Sequence, residues 1–405
     1  MSRAESTAVQ NWPGRTRRDF RLLWGGGAVV EFASAAVVFA EPLIVLRVSN
    51  DLVLTGVVMA TIAIVSTGVG AIAGTFADRH SRRRTMLICN ALQIPLALGI
   101  GFMLLMGNLD MTVFAIASIG MAILGGFVTA PELAAITQLV PKEHLTEASG
   151  LYQGRMHAAN LLGPPLGGLL LGFFPPLLYA FAALSCLLAT ITVALIRSPI
   201  GEGNGSEATF IRDFAEGWKT LFTHRQIRNL VMMQFWANTA VTGALFVTVL
   251  SLEQAGHSAA VIGAAQTAIG VAGLTGASLV GVITKRIPFA ALLTTAMIAV
   301  VVGALTSAAL VGSLWMVVPL ALCLLLAPSA SALVFARITA LTTEHTRGRV
   351  LSFQSIASSI GGSFVKAPVA AIGAASLSLA LAACAVAALP GVFHAFRSRK
   401  LERFE

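Results

Sequence analysis

The carboxylates and the lysine that stand within long apolar stretches of the sequence are Glu31, Glu41, Glu132 and Lys366. A charged group at the centre of a membrane span costs roughly 2.5–3.5 kcal/mol on insertion scales, so such residues usually face a cavity and carry function. Burial away from water brings the pKa of a carboxylic acid toward the physiological range, which suits a group that takes up and releases protons. These residues point to the movement of protons or solutes across a membrane.

Glu31 is the first candidate for a proton site because it lies near the middle of the first apolar stretch. Its counterpart 207 residues later is Asn238, so matched positions of two helices carry polar groups. Glu132, in the fourth stretch, is the second candidate. It could instead bind a cationic substrate, or pair with Arg155 or His157.

Lys366 is the only cation deep within an apolar stretch, and an isolated ammonium there needs a partner. Glu41 is one hypothetical partner, and the two would form a gate near the outer surface. Alternatively, Lys366 receives an anionic part of a substrate, or its side chain extends toward the membrane surface.

The composition supports a lipid-facing protein. The chain has 405 residues, of which 56% are hydrophobic and 11% are charged, with a mean hydropathy of +0.83. Soluble domains average roughly 25% charged residues, so this chain lacks the charges that a water-facing surface needs. The net charge of +9 is scattered between apolar runs, whereas nucleic-acid binding needs basic residues on one face.

Twelve apolar stretches are long enough to cross a bilayer as helices, which predicts an all-α membrane protein with twelve transmembrane helices. They lie at about 22–46, 52–76, 85–106, 111–138, 149–173, 175–197, 227–252, 259–284, 287–311, 313–337, 349–372 and 374–396.

The basic residues predict the orientation of these helices. If both termini are cytoplasmic, 25 of the 27 Lys and Arg residues fall on cytoplasmic segments, and the exceptions are Arg47 and Lys366. This excess matches the positive-inside rule. We therefore expect a multi-pass protein of a bacterial cytoplasmic (inner) membrane.

The sequence also predicts two halves that repeat one another, with residues 1–197 and 227–405 each forming a six-helix half. Similar residues recur at nearly constant offsets: Arg21 and Arg79 with Arg228 and Arg286, Tyr152-Gln153 with Phe353-Gln354, and Ala130-Pro131 with Ala327-Pro328. An even number of spans per half predicts a parallel pseudo-repeat, with the substrate path between the halves. Residues 198–226 form the predicted cytoplasmic linker, which includes an amphipathic helix.

The loop after the second span resembles the signature loop of the major facilitator superfamily. It contains Gly74, Asp78, Arg79 and Arg82, with Ser81 where the family usually has a second Gly. The resemblance implies that the charged residues of this loop close the cytoplasmic side as a latch. The start of the eleventh span, at Arg349, resembles the family's entry into that helix and is the expected partner. Alternatively, these charges only set the topology.

The fifth span resembles the antiporter motif of the same superfamily. The matching positions are Gly150, Ala159, Gly163, Pro164, Gly167 and Gly168, with Ala159 in place of a Gly. Small residues allow helices to approach closely, and proline bends a helix. In the family this motif is associated with exporters.

Together these features predict a secondary active transporter that exports a small, partly apolar molecule, such as a drug, siderophore or secondary metabolite, in exchange for protons. The linker and the end of the fourth span resemble the macrolide and siderophore exporter branch. An importer, uniporter or lipid flippase of the same fold is the alternative. No phosphate-binding loop suggests ATP hydrolysis. The spans contain no Ser/His or His/Asp cluster, the longest segment between them has only about 30 residues, and the cysteines lack metal-ligand spacing, so we expect no enzyme activity, no cofactor and no metal. The family resemblance implies a monomer.

Overall fold

The computed structural model describes residues 14–198, 200, 224–342 and 344–402, and their side chains except those of residues 14, 15, 71, 75, 78, 344–349, 352 and 399–402. Within these ranges the chain folds into fifteen α-helices and two 3-10 turns, which confirms the prediction of an all-α protein. The first six helices are α1 (Gly14–Ser49), α2 (Leu52–Arg79), α3 (Arg82–Leu105), α4 (Met111–Leu139), α5 (Leu145–Phe173) and α6 (Pro175–Ala194).

The later helices include several short ones, because three predicted spans are interrupted. These helices are α7 (Arg225–Gln254), α8 (Ala259–Ser278), α9 (Val280–Arg286), α10 (Phe289–Ala309), α11 (Val317–Leu324), α12 (Ala327–Leu341), α13 (Glu344–Phe364), α14 (Lys366–Ala375) and α15 (Leu377–Glu402).

Proline explains two of the three interruptions. Pro328 is the second residue of α12 and Pro368 is the third residue of α14, and a proline lacks the amide that would continue the preceding helix. Proline is tolerated in the first turn of a helix, so each new helix begins just before it. The third interruption, at Leu279, separates α8 from α9.

In the described part of the chain, eleven helical segments are long and apolar enough to cross a membrane. The predicted number is twelve, and the difference is α5. This helix has 29 residues, but Arg155, His157 and its many glycines and prolines reduce its hydropathy. Its length of about 43 Å, at 1.5 Å per residue, exceeds the roughly 30 Å hydrocarbon core of a bilayer.

The chain forms two compact units. Unit 1 comprises residues 1–40 and 68–208, and unit 2 comprises residues 41–67 and 209–405. The segment 41–67, which holds the end of α1 and the start of α2, therefore packs with residues that follow the linker. The division at residues 197 and 226 rests on the repeat and remains a prediction. The amphipathic helix proposed within residues 210–222 lies outside the described residues.

Each unit has its own apolar core. In unit 1 the core joins α1, α3, α4, α5 and α6, and the Oδ2 atom of Asp19 accepts hydrogen bonds from the amides of Arg197 and Ser198 at 3.2 and 2.8 Å. In unit 2 the core joins α7, α10, α12, α13 and α15. These contacts fix how the helices of each unit are rotated, and thus which side chains meet.

Candidate functional site

The most buried charges of unit 1 include a glutamate and an arginine that form an ion pair. Arg155 on α5 donates through Nη1 to Glu132 Oε1 at 2.7 Å and through Nη2 to Glu132 Oε2 at 3.2 Å, while Glu132 lies on α4. The residues are 3% and 6% exposed, respectively. Two parallel hydrogen bonds give this pair the geometry in which arginine binds a carboxylate most strongly.

Arg155 has two further partners. Its Nη1 atom also donates to the carbonyl of Trp24 on α1 at 3.3 Å, and its guanidinium lies 4.8 Å from the centre of the Tyr152 ring. A cation above an aromatic face is attracted by the ring electrons. These contacts hold the guanidinium between α1, α4 and α5.

Gly27 makes room for this ion pair on α1. A Cβ atom at this position would overlap Glu132 Oε1 and Arg155 Nη1. Residues three or four apart share a face of a helix, so Glu31, one turn later, lies on the same side of α1 as Gly27. Ala35, a further turn on, contacts α5 at Gly163. The face of α1 that carries Glu31 therefore runs along the helices that hold the pair.

Glu31 lies near the midpoint of the 36-residue helix α1 and is partly buried. Its carboxylate is close enough to Arg155 and Glu132 for the charges to interact. Within the part of the chain that the structure describes, no side chain or backbone group donates a hydrogen bond to it. The site thus contains two carboxylates: Glu132, which is paired with Arg155, and Glu31, which makes no hydrogen bond within the described residues.

Two glycines of the antiporter-type motif bring α5 against α1. A Cβ atom on Gly163 would overlap Ala35, and one on Gly167 would overlap the backbone of Ala36. Ala159, at the position where the motif has a Gly, is fully buried. At Gly150, in contrast, an added Cβ atom would meet no atom within 4 Å. The inner part of the motif thus sets the distance between the helices that carry Glu31 and Arg155.

Two further motif residues, Pro164 and Gly168, lie within α5. Gly168 is buried.

Asn238, the counterpart of Glu31, joins two helices of unit 2. Its Nδ2 atom donates to the carbonyl of Ser358 on α13 at 2.8 Å, and its Oδ1 accepts from Thr242 at 3.4 Å. Its amide is therefore engaged in a contact between α7 and α13. In the structure Asn238 links two helices, and its role in binding remains a prediction.

Lys366 is the first residue of α14 and belongs to unit 2. Its Nζ atom lies 6.0 Å from the centre of the Phe246 ring, and Glu41 is near enough for the two charges to interact. In the same unit, Arg47 donates to both oxygens of Glu253 at 2.5 and 3.0 Å. Segment 41–67 thus contributes two oppositely charged side chains, each facing a charge elsewhere in unit 2.

The predicted latch is described only in part. Gly74 and Arg79 are exposed, whereas Arg82 is 8% exposed. The side chains of Asp78 and Arg349 lie outside the described residues, so the contact between them remains a prediction. Ser81 begins α3 as its N-cap with φ of −62°, and its hydroxyl accepts from the Arg84 amide at 3.5 Å. A glycine conformation is not needed here, and serine is a preferred N-cap residue.

Sequence reasoning does not select Arg155 as a member of the predicted site, and it misses Gly27 altogether. The charge pattern counts Arg155 among the cytoplasmic basic residues, with pairing to Glu132 as an open alternative. It is the eleventh residue of α5 and is almost fully buried. His157, the other suggested partner of Glu132, is exposed. The depth of Arg155 in the helix is the available signal, as is the run of three glycines from Gly25 to Gly27.

Metal binding has no support in the described ranges, where no three His, Cys, Asp or Glu side chains are grouped to hold an ion. The four cysteines, Cys89, Cys186, Cys323 and Cys384, are buried and unpaired with one another.

Several solved structures share this fold at low sequence identity. A bacterial homologue of the human lysosomal transporter Spinster, in an inward-facing and unoccupied conformation, matches with a TM-score of 0.78 and 13% identity over 96% of this chain and 98% of the other. A bacterial homologue of the iron transporter ferroportin matches with 0.73 and 15% over 94% and 98%. A D-xylose–proton symporter matches with 0.66 and 14% over 94% and 96%.

The sequence supplies the more specific result. No curated protein sequence matches the chain at a significant level. The sequence profile of the Major Facilitator Superfamily matches residues 23–365, which is most of the chain. The chain therefore belongs to the Major Facilitator Superfamily and is a multi-pass membrane transporter, not an enzyme.

Proposed function

We propose that this protein is a proton-coupled exporter that exchanges protons for a small, partly apolar molecule by alternating access. The observation that carries the proposal is the pairing in unit 1. Glu132 is committed to Arg155, while Glu31 lies within reach of both charges and has no hydrogen-bond partner in the described chain. A carboxylate left available beside a neutralised pair is a natural site for reversible protonation.

The charges suggest how coupling works. With Glu31 ionised, the three side chains carry one excess negative charge, which attracts a proton or a cationic group. With Glu31 protonated, the group is neutral, and Arg155 stays with Glu132. If the carrier changes conformation with either a proton on Glu31 or a bound substrate, but not with both, the proton and the substrate move in opposite directions.

Export is favoured by the antiporter-type motif of α5. Gly163 and Gly167 place α1 against α5, so the motif positions the helix that bears Glu31. The resemblance of the sequence to macrolide and siderophore exporters suggests a drug, siderophore or secondary metabolite as substrate. The distribution of Lys and Arg supports a bacterial inner membrane with both termini cytoplasmic, and the family resemblance supports a monomer.

The first experiment compares cells with and without the protein. Accumulation of antibiotics, dyes and siderophores is measured, and each measurement is repeated with a protonophore. We expect lower accumulation of at least one compound, and the protonophore should abolish the difference. Higher accumulation would instead indicate an importer, and insensitivity to the protonophore would contradict proton coupling.

The second experiment tests Glu31 in proteoliposomes with a substrate from that screen. Glu31→Gln mimics the protonated form, so we expect exchange driven by a pH gradient to be lost while the substrate still binds. Glu147→Gln, the same change outside the site on α5, serves as the matched control and should transport normally. Normal exchange by Glu31→Gln would remove Glu31 from the mechanism, and Glu132 would be tested next.

A further inference from the structure

Three uncharged polar side chains of unit 2 form a hydrogen-bonded group, which we call the amide cluster: Gln234, Ser331 and Gln354. Gln234 on α7 donates through Nε2 to Ser331 Oγ on α12 at 3.4 Å. Gln354 on α13 donates through Nε2 to Gln234 Oε1, also at 3.4 Å. Both distances exceed the usual range of about 2.7–3.2 Å for N–H···O bonds, so a ligand could replace either contact at low cost.

Two atoms beside these contacts lack partners. Gln354 Oε1 and Ser358 Oγ are shielded from solvent and make no hydrogen bond within the described chain. They lie one turn apart on one face of α13. A buried polar group without a partner is unfavourable, so a ligand that supplies the missing partners would gain affinity.

The chemistry of that ligand follows from the unpaired atoms. As placed, Gln354 Oε1 needs a donor. If both glutamine amides were rotated by half a turn, the unpaired atom would be a donor that needs an acceptor. A hydroxyl or a secondary amide can both donate and accept, so it satisfies either arrangement.

The cluster can be reached from outside the packed core. Ser331 is exposed, and Gln234 and Gln354 are half-buried. Ser355 and Ser359, on the same helix as Gln354, are also exposed within the candidate span Phe353–Ala375. Polar side chains open at membrane depth usually line water or a cavity, because lipid offers them no partners.

The pseudo-repeat relates this cluster to the site of unit 1. The offset of 207 residues matches Gly27 with Gln234, and the offset of 201 matches Gln153 with Gln354. In unit 1, Gly27 leaves space for a charged pair, whereas in unit 2 a glutamine occupies the equivalent position. Equivalent regions of the two halves thus hold charged side chains in unit 1 and uncharged polar side chains in unit 2.

We propose that the amide cluster binds an uncharged, hydroxyl- or amide-bearing part of the transported molecule. The inference rests on the proposed function, since it assumes an organic substrate, and it assigns substrate recognition to unit 2 and the proton to unit 1. A neutral group suits the cluster because its three members provide hydrogen bonds but no counter-charge.

Binding is tested with the full-length protein in lipid nanodiscs. The probes are two neutral compounds with a single hydroxyl and no amide, testosterone and menthol, each beside its acetate ester, in which the hydroxyl is blocked. Binding is measured as ligand-dependent thermal stabilisation. We expect at least one free alcohol to stabilise the protein, and its ester to bind roughly tenfold more weakly, as the loss of one to two hydrogen bonds implies.

Variants locate the binding. Gln234→Leu and Gln354→Leu should each raise the Kd roughly tenfold. Gln153→Leu makes the same change at the repeat-equivalent, exposed position of α5 and should leave the Kd unchanged. The proposal is overturned if neither alcohol binds, if the esters bind equally well, or if Gln153→Leu weakens binding as much as Gln354→Leu.

Measurements on the Glu31→Gln variant distinguish this inference from the proposed function. Glu31→Gln should keep the wild-type Kd for the alcohol while losing proton-driven exchange. Suppose that the two glutamine substitutions weaken binding but that transport does not depend on the pH gradient. This result would refute proton coupling and leave this inference standing. Unaltered binding by both glutamine variants, with exchange still lost in Glu31→Gln, would refute this inference alone.

Discussion

At the level of single residues, Arg155 has little freedom. Glu132, the Trp24 carbonyl and the Tyr152 ring surround its guanidinium, and only Glu31 among the neighbouring charges lacks a hydrogen bond in the described chain. Removing one partner of a buried ion pair typically costs about 3–5 kcal/mol, because the other charge stays buried and uncompensated. We therefore propose that the pair stays fixed and that Glu31 is the group whose protonation changes.

We predict that Gly27→Ala disrupts this arrangement. The new Cβ would overlap Glu132 and Arg155 at their charged ends, and we expect overpacking to cost about 1–3 kcal/mol, more than the gain of about 0.5–1 kcal/mol from replacing glycine within a helix. Thermal unfolding in detergent should show a lower Tm, and proton-coupled exchange should fall.

Gly25→Ala is the control for this prediction. Gly25 lies two residues earlier on α1, and nothing lies within 4 Å of its added Cβ. Its Tm should stay level or rise slightly. Equal effects of the two substitutions would mean that α1 needs glycine for another reason than the ion pair.

At the level of helices, α5 combines two tasks. Its first half carries Tyr152 and Arg155, which contact each other at the ion pair, and its second half carries Gly163 and Gly167, which contact α1. Polar residues, glycines and prolines lower its hydropathy, so the membrane-spanning stretch of the helix that carries Arg155 is less apolar than those of the other long helices of unit 1. The residues that form the ion pair and the close helix contacts are thus the ones that lower the hydropathy of α5.

We predict that the two ends of the antiporter-type motif differ in their tolerance. Gly167→Ala places a methyl group against the backbone of Ala36, which cannot rotate away, so we expect destabilisation of about 1–3 kcal/mol. Gly150→Ala meets no atom within 4 Å and should be nearly neutral. Unfolding temperatures and exchange rates of the two variants check the difference, and a normal Gly167→Ala protein would contradict this account of the motif.

For the molecule as a whole, the arrangement of basic residues bears on orientation. Placing both termini in the cytoplasm puts 24 of the 27 Lys and Arg residues on or next to cytoplasmic segments, since Arg155 is buried within α5. Short turns separate the early helices. Asp110 ends one of these turns and begins α4, where its carboxylate accepts hydrogen bonds from the amides of Val113 and Thr112. These hydrogen bonds lower the pKa of the Asp110 carboxyl. The turn before Asp110 is expected outside the cell membrane, and the turn at Lys142 inside.

Single cysteines at these turns test the orientation. Asn108 and Lys142 are both exposed, whereas the four native cysteines are buried and should react slowly. We predict that a membrane-impermeant maleimide labels Asn108→Cys in intact cells, and labels Lys142→Cys only after the cells are permeabilised. The reverse pattern would place both termini outside.

Much of the fold is predictable because each span is a local property of the chain. About 20 consecutive apolar residues predict a membrane helix whatever the rest of the protein does, and the repeat of Arg21 as Arg228 needs no coordinates to be seen. The breaks before Pro328 and Pro368 have a local cause, since proline lacks an amide donor, but Pro164 lies inside an unbroken helix, so proline alone does not predict where a span is interrupted. Glu31 and Glu132 stand out because charges are rare among apolar residues.

The order of the amino acids alone is enough to establish that this protein is helical, spans a membrane and carries carboxylates at depth. Which charges meet depends on the folded chain. Arg155 pairs with Glu132 because Gly27, Gly163 and Gly167 let α1 approach so closely, and Asn238 contacts α13 because of the rotation of α7. Hydropathy records how many residues are apolar, whereas the rotation and spacing of helices depend on contacts between residues far apart in the chain.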